Sequence, residues 1–293
     1  MLLEKNFYII VFFLFVNIFL YFLKDNFYKK FLPLDKPSDR KIHTNPVLIS
    51  GGFIFYINII FFILISNFEG QFFENFNQNK IIFLVSLTIF FLFGLFDDKI
   101  NMNGTLKLIL IIAFIFFFLL SNEKFLISEL KFSFSEKSIS LGWFSIYFTI
   151  LCISLFINSF NMFDGINLQS GFYSFTFFLF FILNNFSILF CIIFLFPHIV
   201  FLLKNYKNKS FLGDGGCYIL SFLISLFIIN YYNNGYIKSD QIFLLMMIPG
   251  IDMLRLFIIR IAKKKNPFSA DSKHFHHRLL NNFNSTNVFY IIF

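Results

Sequence analysis

The stretch NSFNMFDGINLQSG, residues 158–171, closes a long apolar run with three polar side chains, Asn158, Asn161 and Asp164. Steps of three residues along an α-helix fall about 60° short of a full turn, so these groups form one slanted stripe. A carboxylate and two amides at the end of a membrane helix are costly to bury in lipid, and the stripe therefore marks a polar cavity or a bound ion. Taken alone, Asn and Asp beside Gly165 suit a capped helix end in a loop better than a site. The choice between the two is made by how the rest of the chain repeats the arrangement.

Composition sets the class. Of 293 residues, 58% are apolar, 23% aromatic and only 14% charged, and the mean hydropathy is +0.75. Soluble domains do not sustain such values, so the expected fold class is an all-α polytopic membrane protein forming a single integral membrane domain over residues 1–293. The 54 Phe residues, with many Ile, Asn and Lys, read as a footprint of AT-rich coding and carry little functional information. Cys152, Cys191 and Cys217 lie in or beside apolar segments, which suits buried thiols better than disulfides or a metal site.

Apolar runs near spanning length fall at about 7–23, 47–66, 80–96, 105–120, 142–160, 171–183, 186–203, 215–231 and 241–262. The sixth is short, and Asn184-Asn185 after it reads as a tight turn. The first run has its basic flank on the C-terminal side and no small-residue cleavage site, unlike a signal peptide. The tail NVFYIIF begins a tenth run that stops far short of the ~20 residues needed to cross a bilayer, as a truncated or interfacial span would. About nine or ten transmembrane helices are expected.

Charge orients this bundle. Connections after odd-numbered runs, counted with the adjoining run ends that hold Lys107, Arg255 and Arg260, carry 18 of the 24 Lys and Arg residues. By the positive-inside rule the odd runs end in the cytoplasm and the N-terminus lies outside. The net charge of +8 is thus a topology signal and no argument for nucleic acid, although lysines at the cytoplasmic surface would also attract anionic lipid. On the outer side, KFSFSEKSISLGWF (131–144) alternates Phe132 and Phe134 with serines, and Ile139 and Leu141 with serines. That pattern predicts a short external hairpin turning at Ser135–Ser138.

Five polar clusters fall in the cytoplasmic connections: DKPSDRKIHTNPVLISGG (35–52), GLFDDKINMNG (94–104), NSFNMFDGINLQSG (158–171), FLGDGGCYI (211–219) and NPFSADSKHFHHRLL (266–280). Their common side of the membrane suggests one composite cleft. Adjacent carboxylates such as Asp97 and Asp98 repel unless a cation or proton is shared, which suits Mg²⁺ or one raised pKa; a solvated helix end is the plainer alternative. Asp214 sits in a glycine turn whose backbone N–H groups can approach an anion while the carboxylate meets a metal. His274, His276 and His277 lie beside Lys273 and Arg278, a set better matched to phosphate than to zinc, for which no second Cys/His pair exists. Arg40, Lys41 and His43 form a similar cationic set beside Gly51-Gly52, or simply the basic flank of a span. Carboxylates for a divalent cation and cations for phosphates fit a nucleotide substrate and a lipid substrate meeting at the membrane face.

These five stretches, from about residue 35 to 281, resemble the motifs of the polyprenyl-phosphate N-acetylhexosamine-1-phosphate transferases, which include the phospho-MurNAc-pentapeptide translocase. The resemblance implies transfer of a sugar-1-phosphate from a UDP-sugar to polyprenyl (undecaprenyl) phosphate with release of UMP. It also implies dependence on Mg²⁺, with Mn²⁺ as the substitute, in a multi-pass protein of the bacterial inner membrane, with a homodimer as an assembly to test. On this resemblance Asp214 matches the Mg²⁺-binding aspartate, joined by Asp164, the first aspartate of the Asn-rich motif. Asp97 and Asp98 match a pair that deprotonates or positions the lipid phosphate, and the three histidines match a motif near the diphosphate. Phe211 matches an aromatic that stacks on uracil. Lys107 is placed by geometry near the lipid phosphate, and Arg40, Lys41, His43, Asn158, Asn161, Asn205 and Arg278 complete the expected substrate contacts.

Two departures stand out. Asn167 occupies the place of a second aspartate, where it could bond uracil or ribose but adds no charge for a metal. No Pro follows Asn205, which fits its motif only in a loop one residue short. The His-x-His-His-Arg-Leu-Leu order is closer to the GlcNAc-phosphate branch than to the peptidoglycan translocase branch. A secondary transporter would place paired sites at mid-membrane. A CDP-alcohol phosphotransferase would show Ala-Arg after Asp-Gly, where this chain has Ile166-Asn167, and a non-catalytic scaffold would not need these carboxylates.

Overall fold

The computed structural model describes residues 2–37, 44–65, 80–264 and 285–292. Helix α1 (Leu2–Phe22) is followed by the single turn α2 (Asp25–Tyr28), strands β1 (Leu34–Asp35) and β2 (Val47–Ile49), and helices α3 (Gly51–Ile65), α4 (Lys80–Ile100) and α5 (Gly104–Ser121). Two short strands, β3 (Glu129–Leu130) and β4 (Ile139–Ser140), precede helices α6 (Ser145–Phe163), α7 (Gln169–Leu183) and α8 (Ile188–Tyr206). Strand β5 (Ser210–Phe211), helices α9 (Gly213–Asn233) and α10 (Ser239–Ala262), and the short α11 (Ser285–Ile292) complete the order.

Each of the nine apolar runs holds a helix. Among the described residues six are long and apolar enough to cross a membrane: α4, α5, α6 with its one-turn lead-in, α8, α9 and α10. Residues 6–22, α3 and α7 form shorter apolar helices. At 1.5 Å per residue the 15 residues of α3 reach only about 22 Å. The run at 47–66 is shorter as a helix than the sequence suggests because residues 47–49 are extended and the helix starts only at Gly51.

The backbone forms two compact units, Met1–Asn101 with Ile166–Leu220, and Met102–Gly165 with Ser221–Phe293. In the first, α8 packs against α1, α3 and α7, and α3 packs against α4. Helices in lipid associate through close packing and interhelical hydrogen bonds, without a hydrophobic drive, so polar ties help to select partners. Asn17 and Asn58 supply one: each amide donates to the other across α1 and α3, at 2.7 and 3.2 Å. His198 on α8, fully buried, faces the Ser174 hydroxyl of α7 at 3.0 Å and is walled by Phe55, Phe178 and Phe194.

A three-stranded sheet, ordered β1-β2-β5, gathers distant chain at one end of this unit. Leu34 and Asp35 pair antiparallel with Leu48 and Val47, and Leu48 and Ile49 pair parallel with Ser210 and Phe211. The buried Ser50 and Ser210 hydroxyls bond at 2.8 Å beside that parallel pair.

In the second unit α6 packs against α5 and α10. The expected hairpin exists, displaced from its expected position: Glu129 pairs with Ser140 and Leu130 with Ile139, so Phe132 and Phe134 lie in the connection instead of a strand. Their rings contact each other at 5.1 Å between centroids. The connection is held from another element. Asp240 accepts from the Ser133 N–H at 2.8 Å and from its hydroxyl, and Tyr232 receives the Lys131 N–H at 2.7 Å while donating to the Glu129 carbonyl at 2.8 Å. The Asn184-Asn185 turn is as expected, with Asn185 left-handed at φ 57° and Asn184 donating to the Phe180 carbonyl.

Candidate active site

Helix α4 ends in GLFDDKI, and α9 begins with GDGG immediately after β5. The first N–H groups of any helix lack partners within it, and its N-terminus carries partial positive charge. Asp98 meets both needs of α9: one carboxylate oxygen accepts the Asp214 N–H at 2.9 Å, and the other accepts the Gly215 N–H at 3.4 Å. The half-buried Asp214 carboxylate therefore projects from a first turn fixed by a second carboxylate.

Glycines make that approach possible. A Cβ on Gly52 would lie 2.5 Å from the Gly216 nitrogen, and one on Gly94 would collide with the Cα of Gly215. Backbone meets backbone where α3 and α4 cross the start of α9. Gly213 adopts φ +73°, and any side chain there would strike Ile49 and the Asp98 carboxylate. The turn into α9 is itself set beside the sheet, because β5 ends at Phe211 and the next residue, Leu212, accepts the Gly52 N–H through its carbonyl at 3.1 Å.

Asp97 follows a different course from its neighbour. It is 1% exposed and accepts a hydrogen bond from the Tyr218 hydroxyl at 2.9 Å. Tyr218 is held by stacking on Phe93, with centroids 5.5 Å apart and planes at 18°. The expected mutual repulsion of the pair is thus relieved by separate donors, a phenol for one and a helix N-terminus for the other. Sequence reasoning passed over Tyr218, although it stands one helical turn after Asp214 in a stretch already marked as polar.

Two of the expected nucleotide contacts in this unit, Asn205 and Asn167, also tie loops together. Asn205 donates to the Ser210 carbonyl at 2.8 Å and accepts the Leu168 N–H at 2.6 Å. Asn167 donates to the Asn208 side chain at 2.6 Å. These bonds join residues 166–168 to 205–210 and stabilise two strained residues, Leu168 at φ 72° and Asn208 at φ 54°. Phe211 is half-buried on β5, paired with Ile49.

Asn158, Asn161, Asp164 and Lys107 belong to the second unit. The stripe is present: Asn158 and Asn161 lie on the last turns of α6, and Asp164 is its C-terminal cap, half-buried. Asn158 donates to the Ser154 carbonyl of its own helix at 2.8 Å. Lys107 is half-buried in the first turn of α5. Arg40, Lys41, His43, His274, His276, His277 and Arg278 lie outside the described residues.

Among the described residues no three His, Cys, Asp or Glu side chains converge to form a metal cage. Mg²⁺ does not require one: in phosphoryl-transfer sites it takes one or two carboxylates and completes its shell with water and substrate phosphate oxygens. Asp214, a hard oxygen donor at a glycine turn, fits that mode.

The family model for glycosyl transferase family 4 matches residues 80–232, the segment that holds Asp97, Asp98, Asp164, Asp214 and Tyr218. The chain belongs to this family. Among its family relatives, the undecaprenyl-phosphate alpha-N-acetylglucosaminyl 1-phosphate transferase of Escherichia coli K12 is 25% identical over 96% of this chain and 78% of its own length. The proteins of that name from Yersinia pestis and Thermotoga maritima are 26% and 27% identical, over 88% and 89% of this chain and 73% and 78% of their own. Membership in glycosyl transferase family 4 leaves the transporter and CDP-alcohol readings without support.

Proposed function

We propose that this membrane protein transfers N-acetylhexosamine-1-phosphate from a UDP-sugar to undecaprenyl phosphate, releasing UMP, as a first membrane step in cell-envelope glycan synthesis. The observation that carries the reading is the capping of α9 by Asp98, which fixes the Asp214 carboxylate within the segment shared with the family. An oxygen of the lipid phosphate attacks the sugar-bearing phosphorus, the diphosphate P–O bond breaks, and UMP leaves. Names of the relatives favour N-acetylglucosamine as the sugar.

The lipid phosphate is already ionised near pH 7, its second pKa being about 6 by analogy with phosphorylated side chains. A strong base is therefore unnecessary, and the carboxylate centre positions instead of abstracting. Asp98 holds the first turn of α9, Tyr218 keeps Asp97 oriented, and Asp214 offers its oxygens to Mg²⁺. When bound, Mg²⁺ would neutralise charge on the diphosphate. Asp164 is assigned to substrate or metal from its motif, and the three histidines to the diphosphate. The positive-inside rule puts this chemistry in the cytoplasm, which a reporter fused after Lys264 would read directly.

Membranes holding the protein, undecaprenyl phosphate, Mg²⁺ and UDP-GlcNAc should incorporate labelled UMP into UDP-GlcNAc. Absence of exchange with every UDP-N-acetylhexosamine, from protein shown to be folded, would overturn the proposal.

A further inference from the structure

A second polar feature of the first unit shares no residue with the carboxylate centre. Where α1 ends and α8 ends, a pocket of about 550 Å³ is lined by Lys24, Lys204, Lys207 and Lys209, with Asp25 as its one acidic group. Part of this charge is structural, since cations complement the negative ends of helices. Lys204 is buried, donates to the Leu20 carbonyl at 3.0 Å, and lies 4.7 Å above the Tyr28 ring. Burial, with Asp25 adding to it, pushes the Tyr28 phenol far above its ordinary range, so it stays protonated and donates to the same carbonyl at 2.8 Å. Lys207 reaches the Tyr21 hydroxyl at 3.0 Å.

Lys24 and Lys209 are not used in this way. Both are exposed, and among the described residues neither side chain makes a hydrogen bond or ion pair. Four lysines against one aspartate are more positive charge than two helix ends need, around a cavity large enough for a headgroup. Its surroundings say where the anion comes from: Phe22 lines the pocket and is exposed, as are Phe19 one turn earlier on α1, Phe27 on α2 and Phe31 just after it. Tyr21, which lines the pocket and meets Lys207 through its hydroxyl, is the amphipathic kind of ring that gathers at the interface between hydrocarbon and headgroups.

We propose that this pocket binds the phosphate of an acidic membrane lipid headgroup, at a site separate from the reaction centre. Phosphate oxygens would meet Lys24 and Lys209, with Lys207 closing the side, while the acyl chains lie along the exposed phenylalanines. Each basic residue at such a surface strengthens binding severalfold.

The test follows lipid adducts on the full-length protein in detergent by native mass spectrometry, titrating phosphatidylglycerol against phosphatidylcholine. Phosphatidylglycerol should bind preferentially, and the K24Q/K209Q double variant should lose about tenfold in that affinity while keeping the lipid-free thermal midpoint. Equal binding of the two lipids, or unchanged phosphatidylglycerol binding by the double variant, would overturn the proposal. So would displacement by millimolar inorganic phosphate, which would make it a free-phosphate site, or by equimolar undecaprenyl phosphate, which would make it part of the substrate path. UMP exchange is measured in parallel: its failure would bear on the proposed reaction alone, because none of these lysines belongs to the carboxylate centre.

Discussion

The Tyr218 hydroxyl donates to the Asp97 carboxylate over 2.9 Å, and both residues are 1% exposed. A carboxylate so placed depends on the donors the fold provides, because a buried charge without partners costs several kcal/mol. Tyr218→Phe keeps the ring on Phe93 and removes only the donor. We expect a destabilisation of about 1–3 kcal/mol and a fall in kcat of roughly tenfold, with the KM for the UDP-sugar unchanged. The split between kcat and KM separates positioning from loosened packing: a variant that melts earlier yet retains wild-type kcat would confine Tyr218 to stability.

Asp98 permits a graded test. Asp98→Asn retains an acceptor for the Asp214 N–H but removes the charge at the start of α9, an electrostatic loss of about 0.3–2 kcal/mol. Asp98→Ala removes the acceptors as well and should be the less stable of the two in a thermal melt. Equal melting of Asp98→Ala and wild type would show that α9 does not need this cap.

Asp214→Asn should fold as well as the parent, since its backbone N–H, not its carboxylate, makes the bond to Asp98. UMP exchange should fall by about 100-fold or more, the scale of several kcal/mol of charge stabilisation. Chelation by EDTA should abolish exchange in the parent, with recovery on adding Mg²⁺. Exchange that continues in excess EDTA would remove the metal from the scheme.

Close approach at the α9 start can be tested with methyl groups. Gly52→Ala pushes a carbon into the Gly216 backbone and should destabilise by about 1–3 kcal/mol or more. Gly250→Ala on α10 meets nothing within 4 Å and should be neutral or stabilising by up to about 1 kcal/mol. Equal melting temperatures for the two variants would argue that α3 does not bear on α9 as described.

The helices were readable because their signal is local: runs of apolar residues bounded by Asn, Asp, Gly and Lys. The stripe of Asn158, Asn161 and Asp164 was readable for the same reason, being three residues on one helix end. The β1-β2-β5 sheet carried no such signal. Its strands are two or three residues long, too short to show alternation, and the pairing of Ile49 with Phe211 joins segments with no sequence relation. The hairpin slipped because alternation of Phe132 and Phe134 with serines mimics a strand, whereas Ser133 is tied to Asp240 and Lys131 to Tyr232, distant residues that no local pattern reveals. For Asp97 and Asp98 the sequence supplied the pair and its electrostatic problem; the solution, two unrelated donors, depends on how α4 meets α9. Asn167 and Asn205 were legible as polar loop residues, but the bonds between their loops required the fold.

Asp98 leaves the ribosome 116 positions ahead of the amide it caps, and Ser50 precedes its partner Ser210 by 160. At about 5–20 residues per second of synthesis, the end of α4 waits roughly 6–23 s before α9 arrives. During that interval the aspartate pair stands at the end of a membrane helix without the donors that later satisfy it. Assembly of the reaction centre is thereby a late event in biogenesis, and a chain released before Asp214 would present quality-control proteases with an uncapped acidic helix end.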